Sequence, residues 1–166
     1  MELAFRKAKP EELSQIFALF CDAIEEMDRS GIPQWDKVYP DEATLQSDIE
    51  QGTLYVALWE GRPAAVFVLN GAYDVQYANG QWTEETAFLV IHRLCVSPRF
   101  QHKGLGKQAV QAAEAEAAAL GAKALRLDAF KHNPYAVRLY ESNGYRIVGE
   151  VLFRKGPFYL MEKHWG

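Results

Sequence analysis

The 166-residue chain reads as a mixed α/β fold, a sheet of parallel and antiparallel strands with helices on both faces. Three observations predict it. Apolar periodicity switches repeatedly between the strand and helix patterns, giving the order β-α-α-β-β-β-α-β-α-β-β. The strand, loop, helix and strand across residues 87–129 require a crossover, which makes those two strands parallel. Two consecutive strands close the chain, and a short connection of that kind makes an antiparallel pair.

Leu3 to Ala8 reads as the first strand. Pro10 sits where a helix starts without losing a hydrogen bond, and Glu11 and Glu12 favour its positive end. Leu13, Ile16, Phe17, Phe20, Ile24 and Met27 recur at helical spacing until Gly31 stops the pattern. A second helix is expected from about Asp41 to Gln51, with Leu45 and Ile49 on one face. Leu54–Trp59 and Ala64–Leu69 flank Glu60-Gly61-Arg62-Pro63 and predict a hairpin. Residues 70–86 read as one long loop, and loops of that length in small domains are usually functional or mobile. Ala87 to Val96 is the longest strand candidate, ended by Ser97-Pro98. A helix follows from Gly104 to about Leu120, then a strand over Ala124–Ala129 and a short helix over Pro134–Asn143. Tyr145–Phe153 and Phe158–Lys163 are the last two strands.

Composition narrows the class. Apolar residues are 49% and charged residues 24%, which excludes a disordered chain, a collagen and a coiled coil. Apolar runs such as Ala64–Leu69 fall far short of the ~20 residues of a membrane span. The start, MELAFRKAKPEE, lacks the apolar core of an export signal, so a cytoplasmic protein without membrane contact is expected. A net charge of −4 argues against a broad nucleic-acid surface. Cys21 and Cys95 form neither a CxxC pair nor a disulfide framework, and no metal-ligand spacing appears; two reduced, buried thiols and no metal are expected. The length suits a single domain over residues 1–166.

The most informative stretch runs from Leu94-Cys95-Val96 through Gln101-His102-Lys103-Gly104-Leu105-Gly106-Lys107. A strand ends, a glycine-containing loop turns and a helix begins. Unpaired amides at a helix start carry partial positive charge and suit an anion. Gly104 and Gly106 let a phosphate approach the backbone, and His102, Lys103 and Lys107 add positive charge to an acidic chain. A Walker loop is excluded, because Gln101 and Gln108 stand where it needs glycine and a hydroxyl residue. A dinucleotide fingerprint fits poorly: Ala109 takes the third glycine position and the loop before Gly104 is too long.

A second segment, Asn133 to Tyr145, carries a complete helix signature: Asn133 as cap, Pro134 at the first helical position and Gly144 at the left-handed end. Ala136, Leu139, Tyr140 and Asn143 share one face. Gln101-x-x-Gly104-x-Gly106 after Leu94-Cys95-Val96 resembles the acetyl-CoA pyrophosphate motif of the GNAT N-acetyltransferase superfamily. Asn133-x-x-Ala136-x-x-Leu139-Tyr140-x-x-x-Gly144-Tyr145 is similar to its second cofactor motif. With the element order, the resemblance covers nearly the whole chain.

The resemblance implies a mostly antiparallel sheet of about seven strands, with a splayed parallel pair that holds acetyl-CoA as co-substrate. It implies that Leu94 and Val96 pair with the pantetheine amides, that Gln101 to Lys107 hold the pyrophosphate, and that Asn133 and Ala136 meet the cofactor arm. Tyr140 takes the family's usual acid position, and a phenol of pKa ~10 is protonated at neutral pH. The reaction implied is acetyl transfer to a primary amine, on a small molecule, a lysine or a peptide N-terminus, by direct attack in a ternary complex. The alternative is a cofactor-binding sensor of the same fold without turnover.

The general base is read from the residues themselves. His92 leads the candidates, on the cofactor strand and with an ordinary pKa of ~6.5. Asp128 closes the neighbouring strand, with Arg126 two positions away as its expected ion-pair partner, and Glu84 and Glu85 read as solvated charges. Trp35, Tyr39 and Asp128, with Asp36, Tyr73, Tyr77 and Trp82, suit a cationic amine with an apolar body. Trp35 and Tyr39 have an equally good reading as cover for the core. An aromatic patch or open sheet edge would also serve a homodimer.

Overall fold

The computed structural model describes residues 1–36 and 39–165. Its elements are β1 (Arg6–Lys7), α1 (Leu13–Arg29), α2 (Glu42–Glu50), β2 (Leu54–Trp59), β3 (Arg62–Asn70), β4 (Phe88–Val96), α3 (Leu105–Ala119), β5 (Ala124–Phe130), α4 (Pro134–Ser142), β6 (Arg146–Phe153) and β7 (Gly156–His164). The strands form one seven-stranded sheet in the order β1-β2-β3-β4-β5-β7-β6. It is mixed: β4 and β5 run parallel, while β1–β2, β2–β3, β5–β7 and β6–β7 are antiparallel. The parallel register covers only Phe88–Val90 against Ala124–Arg126, whereas β5 pairs with β7 along all of Ala124–Phe130. The crossover argument and the expected mixed sheet therefore hold.

The chain divides into two compact units, residues 1–68 with 93–109 and residues 69–92 with 110–166. In the first, α1 and α2 bury Ile16, Leu19, Phe20, Ala23, Leu45 and Ile49 with Leu54, Val56, Val66 and Val68 of β2 and β3. The helical spacing of those residues is what makes the buried stripe. The other sheet face stacks Tyr55 on Phe67, with Phe5 beside them. In the second unit, Leu125, Leu127, Leu160 and Met161 of β5 and β7 are fully or almost fully buried.

Three boundaries differ from expectation. The first strand pairs only through Arg6–Lys7, because the amide of Leu3 is taken by the Gln108 side chain (2.7 Å) instead of a strand. The hairpin turn is shorter than four residues: Glu60 (φ 51°) and Gly61 (φ 77°) make a two-residue turn, and Pro63 joins β3 beside a bulge at Ala57/Leu58. The long loop is ordered, with a 3-10 turn at Val75–Asn79 that buries Tyr77. Cys21 is exposed rather than buried, since it lies outside the apolar stripe of α1; Cys95 is buried as expected.

Candidate active site

In the first unit, β4 delivers Leu94, Cys95 and Val96 to the glycine loop. Cys95 points into the core, where burial pushes its thiol pKa far up, so it is a packing residue rather than a nucleophile. Leu94 and Val96, on the alternate side, are half-buried. Ser97 ends the strand: its amide donates to Ala64 O (2.8 Å) and its hydroxyl accepts from Arg99 N (3.3 Å). The chain then turns through His102 (φ 63°) and Gly104 (φ 74°), where a Cβ would meet open space but the backbone favours glycine.

The first helical hydrogen bond of α3 is Gln108 N to Gly104 O (3.2 Å). The amides of Leu105, Gly106 and Lys107 therefore have no acceptor within the helix. Gln101, His102, Lys103 and Lys107 are exposed around this turn, and Leu105 anchors it from below, buried in the interior. Donor amides, a helix dipole and three basic side chains fit a diphosphate.

The same unit holds the two proposed aromatic acceptor residues. Trp35 packs its ring on Phe20 (5.4 Å), against the core, which favours the covering role. Tyr39 is exposed, and its hydroxyl accepts from Arg93 Nη1 (2.6 Å). Arg93 also makes two parallel hydrogen bonds to Asp48, 2.8 Å each, and is itself in the left-handed region (φ 48°). The sequence reading missed this pair. Its one signal was Asp48 lying three residues after Leu45, on the buried face of α2.

The second unit holds the acid and base candidates. Tyr140 lies on α4, whose cap Asn133 accepts from Ala136 N (3.2 Å) as the helix signature requires. Tyr140 is buried with its ring edge-on to Tyr145, and burial, then the nearby charge of Asp128, hold its phenol pKa well above the usual value. The hydroxyl keeps its proton. Asp128 accepts from Tyr77 OH at 2.6 Å, a partner that strand spacing did not suggest. The expected partner, Arg126, instead donates to Glu84 O (2.7 Å) and lies over the rings of Phe88 (3.6 Å) and Trp82 (4.2 Å).

His92 is held by the long loop. Its Nε2 is 2.9 Å from Asn70 Oδ1 and 3.0 Å from Ala72 O. A carbonyl can only accept, so Nε2 donates to it. The loop is strapped further along by Glu162, fully buried on β7, which accepts from Thr83 N and Glu84 N and pairs with Arg146. The Glu84 carboxylate accepts from the amides of Thr86 and Ala87, which lower its pKa. Among the described residues, no group of three or more His, Cys, Asp or Glu side chains is arranged to hold a metal ion, and no helix is long and apolar enough to cross a membrane.

Comparison with known proteins agrees with this architecture. A GNAT-family acetyltransferase from Streptococcus agalactiae superposes with a TM-score of 0.87 at 24% identity, over 99% of this chain and 96% of that one. The PaiA N-acetyltransferase of Thermoplasma acidophilum, solved in complex with coenzyme A, gives 0.76 at 18% identity, over 99% and 100%. The acetyltransferase YncA of Salmonella typhimurium, solved with acetyl-CoA, gives 0.74 at 16%, over 100% and 95%. A search of curated proteins finds no match. The sequence profile of the acetyltransferase (GNAT) family matches residues 18–145, most of the chain, and the protein belongs to that family.

Proposed function

We propose that the 166 residues act as one N-acetyltransferase domain, transferring an acetyl group from acetyl-CoA to a primary amine in a ternary complex. The observation that carries this reading is the turn before α3, three consecutive first-turn amides with Gly104 at φ 74° and exposed Lys103 and Lys107. It offers a diphosphate what such a group needs, and relatives of the same fold are solved with coenzyme A and acetyl-CoA.

In this reading Gln101, His102, Lys103, Gly104, Leu105, Gly106 and Lys107 hold the pyrophosphate. The backbone of Leu94 and Val96 pairs with the pantetheine arm, and Cys95 anchors that strand from the core. Asn133 and Ala136 place the start of α4 for the cofactor arm. The amine nitrogen attacks the thioester carbonyl, with the amide of Val96 facing the oxyanion. As the carbon–sulfur bond breaks, Tyr140 donates its proton to the leaving thiolate, and the amine proton passes to His92 or to water. Asp128, tied to Tyr77, supplies the negative charge that attracts the acceptor cation, and Tyr39 is an aromatic candidate for the acceptor's apolar body. The raised pKa of Tyr140 keeps its phenol protonated at neutral pH.

The test is release of free thiol from acetyl-CoA across a panel of small primary amines and peptides. Acceptor-dependent release is expected. Tight acetyl-CoA binding without it would establish the sensor reading instead.

A further inference from the structure

β4 does not run straight into the glycine loop. Arg93 stands at φ 48°, a left-handed conformation in the middle of a strand, three residues before Val96. A residue with a Cβ does not keep that conformation unless its surroundings impose it. Here they do. The guanidinium Nε and Nη2 of Arg93 donate to Oδ2 and Oδ1 of Asp48, each at 2.8 Å, and Nη1 donates to the Tyr39 hydroxyl at 2.6 Å. Asp48 is 6% exposed and comes from the buried face of α2. A two-pronged pair of this kind fixes direction as well as distance, because both planar groups must align.

We infer that Asp48 and Arg93 form a pin, closed by Tyr39, which sets the kink in β4 and so aims the backbone of Leu94 and Val96 at the cofactor. Asp48 and Arg93 are positioning residues for cofactor binding, though neither belongs to the glycine loop or to the α4 motif. The inference rests on the acetyl-CoA reading above. It also gives Tyr39 a role on the cofactor side, beyond lining an acceptor pocket. The ion pair selects the backbone conformation; it need not touch the cofactor. Burial raises the pKa of Asp48, and the hydrogen bonds and charge of Arg93 pull the other way.

Two double variants separate the kink from simple loss of the pair. Asp48→Ala with Arg93→Ala removes both charges and leaves a Cβ at the left-handed position. Asp48→Ala with Arg93→Gly removes the same charges but lets the backbone keep its turn. Coenzyme A affinity is measured by calorimetric titration, the KM for acetyl-CoA and for the acceptor by steady-state kinetics, and folding by circular dichroism. The alanine pair is expected to weaken coenzyme A binding about tenfold and raise the acetyl-CoA KM in step, with the acceptor KM little changed. The glycine pair is expected to recover most of that loss. Equal affinity of the folded alanine pair and the wild type, or a glycine pair no better than the alanine pair, overturns the inference. Should the double variants not fold, Asp48→Asn serves: a rise in acetyl-CoA KM without a rise in acceptor KM supports the pin, and parallel changes in both overturn it. A wild-type protein that binds no coenzyme A overturns the cofactor reading itself.

Discussion

Tyr140→Phe removes one hydroxyl and keeps the ring against Tyr145. In the proposed reaction this removes the proton donor, so turnover at saturating substrates is expected to fall ~10²–10⁴-fold. The KM for acetyl-CoA should move far less, because in that reaction the hydroxyl acts on the leaving thiolate rather than on binding. Steady-state kinetics check both, and unchanged turnover would remove Tyr140 from the mechanism. Gly104 makes a different prediction. A Cβ there meets open space, so Gly104→Ala should cost only the left-handed backbone penalty, about 1–2 kcal/mol. Denaturant unfolding measures that loss, and coenzyme A titration should show weaker binding as the turn relaxes away from φ 74°. Tyr140 stood out only through the resemblance of its motif to the family's, whereas Gly104 was legible because its chemistry is local, a glycine in a turn. Arg93 was not, since no neighbour in the chain announces a left-handed arginine whose partners lie 45 and 54 positions away.

The segment between β3 and β4 behaves as an element although it contains only one 3-10 turn. Polar side chains of the sheet hold it at several points: His92 at Asn70 and Ala72, Asp128 at Tyr77, Arg126 at Glu84 and Glu162 at Thr83. Tyr77 adds stacking on Trp82 and Tyr73. Both His92 and Asp128 thus take their orientation from one loop. Tyr77→Phe keeps the stacking and deletes the hydrogen bond to Asp128; a bond to a charged group is worth about 1.5–3 kcal/mol, so a lower melting temperature and a higher acceptor KM are expected. Glu162→Gln should cost more, about 3–5 kcal/mol, because an amide donor then faces two backbone amides and a guanidinium in a fully buried position. Chemical denaturation distinguishes the two. A loop that stayed ordered and stable in Glu162→Gln would show that the strap is not electrostatic.

For the whole molecule, protonation sets a stability plateau. Glu12 is lowered by its hydrogen bonds from Arg6, Asp41 by Thr44 and Glu84 by backbone amides. Carboxylates depressed in the folded state contribute stability above their unfolded values, ~4–4.5, and lose it as pH falls through the folded values. Asp48, raised by burial, works against that slope. On the alkaline side, burial raises Cys95, Tyr140 and Tyr145, so the unfolded chain ionises first. Their contribution is intact below the unfolded thiol value of ~8.5 and is lost as pH rises above it and then above ~10 for the phenols. Melting temperatures across the pH range should therefore show a plateau between about 5 and 8 with loss on both sides. An alkaline limb that does not move to higher pH in Cys95→Ala would remove the thiol from this account.

Periodicity and capping chemistry were enough to read the strand and helix positions, because each is a relation among residues within a dozen positions, and the connection across residues 87–129 then made the sheet mixed. The hairpin, the cap Asn133 and the glycine turn all follow from such short-range rules. Three features required the folded chain: the Asp48–Arg93 pin, the contact of Tyr77 with Asp128 and the hold of Asn70 on His92. Each joins residues more than twenty positions apart, and a long-range hydrogen bond leaves no periodic trace in the sequence. The fold is thus written locally, whereas the turn at Arg93 and the setting of the segment between β3 and β4 arise from packing, where burial forces distant polar groups to find one another.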